Sequence, residues 1–401
     1  LDDARVSGFS AEIIADDAQA IETARALAAV FAQNAAARDA TRALPHDEVA
    51  AFYRAGLGAV IIPRGYGGAG VSAVTIAEIF TTISAADPSL GQIPQNHTAF
   101  LELLRYSTDE AQKRKFFTLA LQGASFGNAL AERHGKTTKD ISTKLSRQGG
   151  DYVLNGRKFY ATGALFSAYV PIGAVDDEGR VYRVVVPRAA PGLTITDDWN
   201  GMGQRTTASG TVTLENVTVP ADHVIHVHQF AALPSLYGPM SQIIQAAIDL
   251  GIARAAIEET ITFVKTRARP WMDSGKDTAA EDPFIISQIG RLEISLHAAE
   301  AMLERAGETI DASRAALDAA AQSRSSIAVA EAKVLTTEIA IEATNKLFEL
   351  GGTRSAMADL NLDRHWRNAR THTLHDPVRW KFYAVGNYHL NDAPPPKHAW
   401  I

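Results

Sequence analysis

The chain contains no cysteine. A disulfide framework, a thiolate-bound zinc, an iron–sulfur cluster and a thiol nucleophile are therefore excluded, and any redox chemistry must use a cofactor. A basic excess is also lacking. Lys and Arg total 39 against 45 Asp and Glu, a formal net charge of -6, and no long Lys/Arg run marks a nucleic-acid binder. No long uncharged apolar run occurs either. The strongest stretch, Ala246 to Val264, is interrupted by Asp249, Arg254, Glu258 and Glu259, short of the ~18 apolar residues that a membrane span needs. The first residues, LDDARVSGF, are acidic and carry no apolar segment, unlike a secretory signal. The expected compartment is the cytosol, with neither a membrane nor a nucleic acid as partner.

What is present is a chain of 401 residues with 46% hydrophobic and 21% charged side chains, ordinary for a globular protein of two or three domains. Its periodicity changes twice. To about Ala120 the pattern is helical: Ala20–Ala37, His46–Ala55, Ala73–Ala86 and Asp109–Leu121, with an apolar run, LGAVIIP, inside Gly56–Gly70 as the exception. From about Ser125 to Asp222, short β-rich runs are bounded by turn residues: Ile141–Ser146 and Tyr152–Leu154 flank RQGGD, Val170–Val175 and Val181–Val186 flank DDEG, and Thr211–Leu214 and Val217–Val219 close the series. That spacing predicts an antiparallel barrel or sandwich. From about Pro234, Leu236–Arg267, Pro283–Ile310 and Ser325–Leu350 are long enough for an antiparallel bundle. The expected domains are 1–123, helical; 124–233, β; and 234–401, a four-helix bundle.

Several constellations invite chemistry. Gly65-Tyr66-Gly67-Gly68-Ala69-Gly70 matches the GxGxxG of a dinucleotide loop. Pro63 precedes it and no second strand follows the next helix, so a structural turn is the stronger reading. His372 and His375 lie three apart with Asp376 adjacent. A metal site, an acid/base role and a hydrogen-bonded structural role all remain open, although no third ligand stands at metal-site spacing and no metal is expected. His97 in QIPQNHTAF is a lone histidine in a predicted helix. The Arg-rich stretches TRARP and DRHWRNAR fit solvated helix faces or phosphate clamps.

The segments GMGQRTTASGTVTLENVTVP, YVLNGRKFYATG, LFELGGTRS and PRGYGGAG resemble, in order and over nearly the whole chain, the signatures of the acyl-CoA dehydrogenase superfamily. The resemblance implies a helical domain, a β domain and a helical bundle, with a flavin between the last two and a tetramer whose neighbouring subunit helps to bind it. It also implies that the YGG turn binds no pyrophosphate. A thioester dehydrogenase of this superfamily needs a carboxylate base. Aligning on WRNAR places His375-Asp376-Pro377-Val378 where that base is expected. Asp376 reaches about 1.5 Å less far than Glu, Pro377 and Val378 replace a Gly-Thr pair that seats an adenylate, and the alternative base position near Tyr237–Pro239 carries no carboxylate.

The stretch HWRNARTHTLHDPVRWK is closer to the flavin-dependent monooxygenase branch, and QIPQNH, KFYATGALF and DDWNGMGQRTTASGT to bacterial oxidoreductases of sulfur acquisition. That branch implies reduced FMN delivered by a separate NAD(P)H:flavin reductase, reaction with O2 to a C4a-hydroperoxide, and oxygenation of a small organosulfur compound. The residues it implies are His375 as proton donor, Thr162 at flavin N5, Asn128 along the flavin, His97 as a second active-site histidine and Tyr160 with Trp199 around the ring. Arg269 and Arg354 would bind phosphate, from different subunits, with Gly351 and Gly352 alongside. Phe100 and Leu101 stand where the desulfurising enzymes have a tyrosine, so the substrate is expected to differ. The rival expectations are an FAD-dependent acyl-CoA dehydrogenase using Asp376 as base, and a flavin-binding protein without turnover.

Overall fold

The computed structural model describes residues 10–137 and 139–401. The acidic LDDARVSGF stretch lies outside the described residues. The N-terminal helices are α1 (Asp17–Ala32), α2 (Ala35–Thr41), α3 (His46–Arg54), α4 (Ala73–Ala86), α5 (Pro88–Gln92), α6 (Gln95–Leu104) and α7 (Glu110–Leu121). Their starts are written in the sequence. Asp16, Ser72 and Asp109 each accept a backbone N–H of the following turn with their side chains, satisfying a donor that the helix leaves open. The single Ala-rich helix expected over Ala20–Ala37 is broken at Gln33–Asn34, where α1 ends and α2 begins. The apolar LGAVIIP run forms tight 3-10 turns, not a strand. A Cβ on Gly68 would lie 2.2 Å from the Ile62 carbonyl oxygen, so the GxGxxG match is a packed turn.

The β region comprises β1 (Lys144–Gln148), β2 (Asp151–Lys158), β3 (Tyr169–Val175), β4 (Val181–Pro187), β5 (Leu193–Thr196), β6 (Thr211–Val219) and β7 (Val224–Ile225). They form one sheet in the order β5-β6-β2-β1-β3-β4-β7. Neighbours run antiparallel except β1 and β3, which are parallel. RQGGD and DDEG are the two expected hairpin turns. The two short runs over Thr211–Val219 are one strand, interrupted by a bulge opposite Leu154–Gly156, where Asn216 takes φ 52° and its N–H donates to the Asn155 side chain. The short strand β5 had no signal strong enough to stand out.

The C-terminal region holds α8 (Tyr237–Thr266), α9 (Pro283–Ala315), α10 (Ala319–Gly351), α11 (Asp363–His372) and α12 (Arg379–Asn391). Helix α10 packs against α8, α9 and α12, closing the four-helix bundle, while α11 crosses onto α8 and α10. The expected acyl-CoA dehydrogenase-like architecture is present. One apolar core runs continuously from the N-terminal helices through α4 into α8 and α10, whereas the interior of the sheet is a separate core. The β region therefore rests against the helical body. No described helix is long and apolar enough to cross a membrane.

The middle of the bundle buries charge. Asp249 is fully buried and accepts from Lys333 Nζ at 2.6 Å, Thr337 Oγ1 at 2.9 Å and His372 Nδ1 at 2.5 Å. Burial alone raises its pKa, but the Lys333 and His372 partners override that and hold it at about 2. The stability gained from the ionised carboxylate is present above the ordinary aspartate value near 3.8 and is lost as pH falls through about 2. Removing Lys333 leaves a buried anion without its main counter-charge. Lys333→Ala is expected to cost about 3–5 kcal/mol in denaturant unfolding, and to move the acid-unfolding midpoint to higher pH. An unchanged acid limb in the variant would contradict this account of Asp249.

Candidate active site between the sheet and the bundle

Asn128 is placed by backbone pairing. The Gly127 N–H donates to the Tyr169 carbonyl at 2.8 Å and the Ala129 N–H to the Pro171 carbonyl at 3.1 Å, so the segment lies alongside β3. The next contributor, Tyr160, adopts φ 54° just after β2. Its carbonyl accepts from Asn128 Nδ2 at 3.2 Å and from the Thr162 N–H at 2.9 Å. Thr162 Oγ1 lies 2.6 Å from Ser209 Oγ, which lies 2.7 Å from Thr207 Oγ1. Thr207 donates to the Gln204 carbonyl at 3.0 Å, and Trp199 Nε1–H donates to the same oxygen at 2.8 Å. The Tyr160 ring meets Trp199 edge-on at 6.1 Å. Asn128, Tyr160, Thr162 and Trp199 thus form one assembly, and Ser209, Thr207 and Gln204 join it. The ASGT stretch was visible in the sequence, but a hydroxyl chain has no periodic signature.

This assembly is docked onto α11. The Gly203 N–H donates to Thr371 Oγ1 at 3.1 Å and the Gln204 N–H to Asn368 Oδ1 at 2.7 Å. A Cβ on Gly203 would come within 1.9 Å of the Arg367 carbonyl oxygen, so only glycine permits the approach. Beside the same loop a cleft of about 380 Å³ opens between Asp39, Thr206, Glu259 and Asn368. None of the expected flavin residues lines it.

His375 lies in the turn after α11. Its Nδ1 is 3.1 Å from Asp376 Oδ1. The other carboxylate oxygen is 3.1 Å from Lys381 Nζ, and Lys381 is spanned further by Gln242 Oε1 at 2.9 Å and the Trp400 carbonyl. Burial by itself raises the Asp376 pKa. The hydrogen bond from His375 and the positive charges of Lys333 and Lys381 reverse this and hold it well below the usual carboxylate range. An anion so stabilised is a weak base. The expectation that Asp376 removes a proton from a thioester is corrected: its geometry fits orientation of His375, accepting Nδ1–H and leaving Nε2 free. His372 turns the other way, to Asp249 and the Gln92 side-chain amide. The two histidines do not converge as metal ligands.

The remaining expected residues lie elsewhere. His97 is fully buried on α6. Its Nε2–H donates to the Gly58 carbonyl at 2.7 Å and its Nδ1 accepts the Phe126 N–H at 3.0 Å. Burial lowers its pKa to about 4. Both nitrogens are engaged by backbone, and through them His97 fixes the segment that leads to Asn128. Arg269 and Arg354 are exposed, and Arg354 donates to the Arg267 carbonyl at 2.9 Å. Gly352 takes φ 65° beside them, and Gly351 packs on Phe263. Lys381 beside Asp376 marks the Gln242 end of α8, and Arg267 caps the other end. At about 1.5 Å per residue these are about 37 Å apart. The arginines and His375 of one chain are too far apart to share one flavin mononucleotide.

The residues of the β side fit a flat, hydrogen-bonding group. Tyr160 is 53% exposed, and Asn128 Oδ1 is buried without a partner. Fold and site together define the class, and the chain belongs to the acyl-CoA dehydrogenase family. Models of the acyl-CoA dehydrogenase N-terminal, middle and C-terminal domains match residues 15–124, 129–217 and 243–380. Within it, dibenzothiophene monooxygenase of Mycolicibacterium goodii is 33% identical over 94% of both chains. The probable FMNH2-dependent monooxygenase SfnC of Pseudomonas putida is 32% identical over 94% of this chain and 96% of its own. The structure of FMN-bound TdsC from Paenibacillus sp. A11-2 matches with a TM-score of 0.90 at 30% identity, over 95% of this chain and all of the other.

If Asp376 orients His375, Asp376→Asn turns the contact around and offers an amide where a carboxylate was. Turnover is expected to fall by about 10²–10⁴. Imidazole nitrogen NMR should show loss of the Nδ1–H form. Unchanged turnover with an unchanged imidazole spectrum would show that the pair is not functional.

Proposed function

We propose that this flavin-dependent monooxygenase takes FMN in its reduced form from a separate NAD(P)H:flavin reductase and transfers one oxygen atom of O2 to the sulfur of a small organosulfur compound. The second oxygen leaves as water, and the reduced flavin supplies both electrons. The bound flavin would activate O2 as the C4a-hydroperoxide expected from the resemblance. The observation that carries the reading is the Lys381–Asp376–His375 chain. It consumes the carboxylate that a dehydrogenase would need free, and it leaves the His375 Nε2 lone pair open to take up a proton and return it to the oxygen being transferred.

The other residues have matching tasks. Asn128 and Thr162 offer polar atoms to the flavin ring, Tyr160 and Trp199 cover it, and the docked Gly203 loop keeps water out, which prevents wasteful loss of hydrogen peroxide. A sulfur lone pair is a good nucleophile for an electrophilic oxygen. Phe100 and Leu101 are buried beside His97 on α6. The separation of Arg269 and Arg354 from His375 favours an oligomer, a tetramer by resemblance, in which a neighbouring copy brings its arginines to the phosphate. We place the protein in the cytosol, with domain limits near 123 and 233.

Stopped-flow mixing of the protein loaded with reduced FMN against O2 is expected to give a hydroperoxide-type absorbance that decays faster in His375→Ala, with more hydrogen peroxide released. No such absorbance in parent or variant, or anaerobic bleaching of bound flavin by an acyl-CoA, would overturn the oxygenase reading.

A further inference from the structure

We infer that Ser209 and Thr207 are positioning residues that fix the hydrogen-bond polarity of Thr162, leaving it only an acceptor toward the group it faces. A hydroxyl has one proton to donate. The chain Thr162–Ser209–Thr207 ends on the Gln204 backbone carbonyl, which has no proton at all. Thr207 must therefore donate there. Its 2.7 Å contact with Ser209 then needs the Ser209 proton, and the 2.6 Å contact of Ser209 with Thr162 needs the Thr162 proton. The reverse order would set Thr207 lone pairs against the Gln204 oxygen at 3.0 Å. Thr162, Ser209 and Thr207 are 6%, 5% and 1% exposed, so bulk water cannot scramble the order.

The orientation of Asn128 is set independently. The Tyr160 carbonyl can only accept, so the Asn128 NH2 must face it. The Oδ1 atom is left buried and without a partner. Asn128 and Thr162 are hinged on that one carbonyl, since the Thr162 N–H also donates to it. The Thr162 hydroxyl thus has no proton left to donate, and Asn128 Oδ1 adds a second unmet acceptor beside it. The anchor of the chain is held in turn by α11, because Asn368 fixes the Gln204 N–H and Trp199 shares its carbonyl.

The consequence rests on the flavin reading above. A reduced flavin carries hydrogen on N5, which an acceptor-only Thr162 satisfies. An oxidised flavin has a lone pair there and would meet another lone pair. The relay would then select the redox state of the flavin by polarity rather than by shape.

The test compares the dissociation constants of oxidised FMN and of anaerobically reduced FMN, together with the midpoint potential of the bound flavin, in parent, Ser209→Ala and Thr207→Val. The parent is expected to prefer reduced FMN. Either substitution frees a proton for Thr162 to donate outward, so the preference should shrink by about tenfold, and the two-electron potential should fall by about 30 mV. Adding Ser209→Ala to Thr162→Val should change the ratio no further, because the group through which the relay acts is already gone. If Ser209→Ala and Thr207→Val bind FMN yet keep the parent's ratio and potential, the relay is wrong. If the parent binds FMN in neither state, the flavin reading fails with it.

Discussion

The guanidinium of Arg367 joins all three parts of the chain. It donates to both carboxylate oxygens of Asp39 on α2, to the Met202 carbonyl of the β region, and to Asn361 and Asp363 beside its own helix. Its donors lie in a rigid fork, and a lysine ammonium could not satisfy them together. The sheet has a core of its own, and its other face enters the helical core through Tyr169, Val185 and Ile225. At the α11 end polar contacts complete the docking: Arg367 to Met202, Asn368 to Gln204 and Thr371 to Gly203. Helix α11 is thereby clamped from both sides.

The same helix ends in the buried charge network. His372 at its C-terminal turn reaches Asp249, which pairs with Lys333; three residues on, His375 reaches Asp376, which pairs with Lys381. Each carboxylate is matched by one ammonium and one imidazole. Burying such groups costs more than it returns in stability unless every partner is in place, so a stability argument alone does not account for two of them. Holding one imidazole inward and the next outward does. The first pair pins the end of α11, and the second presents His375.

Much of this was legible beforehand. Alternation and turn residues marked the hairpins, helical spacing marked α8 to α10, and the motif order carried the architecture. The short elements were not legible, because β5 and β7 have too few residues to show a period. The site was legible as residue types and not as roles. His97 and Asp376 both looked chemical. One is sealed by the Gly58 carbonyl and the Phe126 N–H, the other by Lys381, and each of these partners is set by tertiary contact rather than by spacing. Lys381 lay in plain view in VRWK, but nothing local says that its ammonium turns inward to meet Gln242 and Trp400.

The division of labour across the interface follows from which side carries protons. On the sheet side, Asn128 is held by the Tyr160 carbonyl and Thr162, through Ser209 and Thr207, by the Gln204 carbonyl, and both carbonyls only accept. On the bundle side, His375 is held by a carboxylate that also only accepts, and an imidazole has a second nitrogen: with Nδ1–H given to Asp376, Nε2 keeps a lone pair that can take up a proton. The same kind of anchor therefore gives different results. A hydroxyl tied to an acceptor spends its one proton there, whereas a histidine tied to one keeps a second ring atom open to proton exchange.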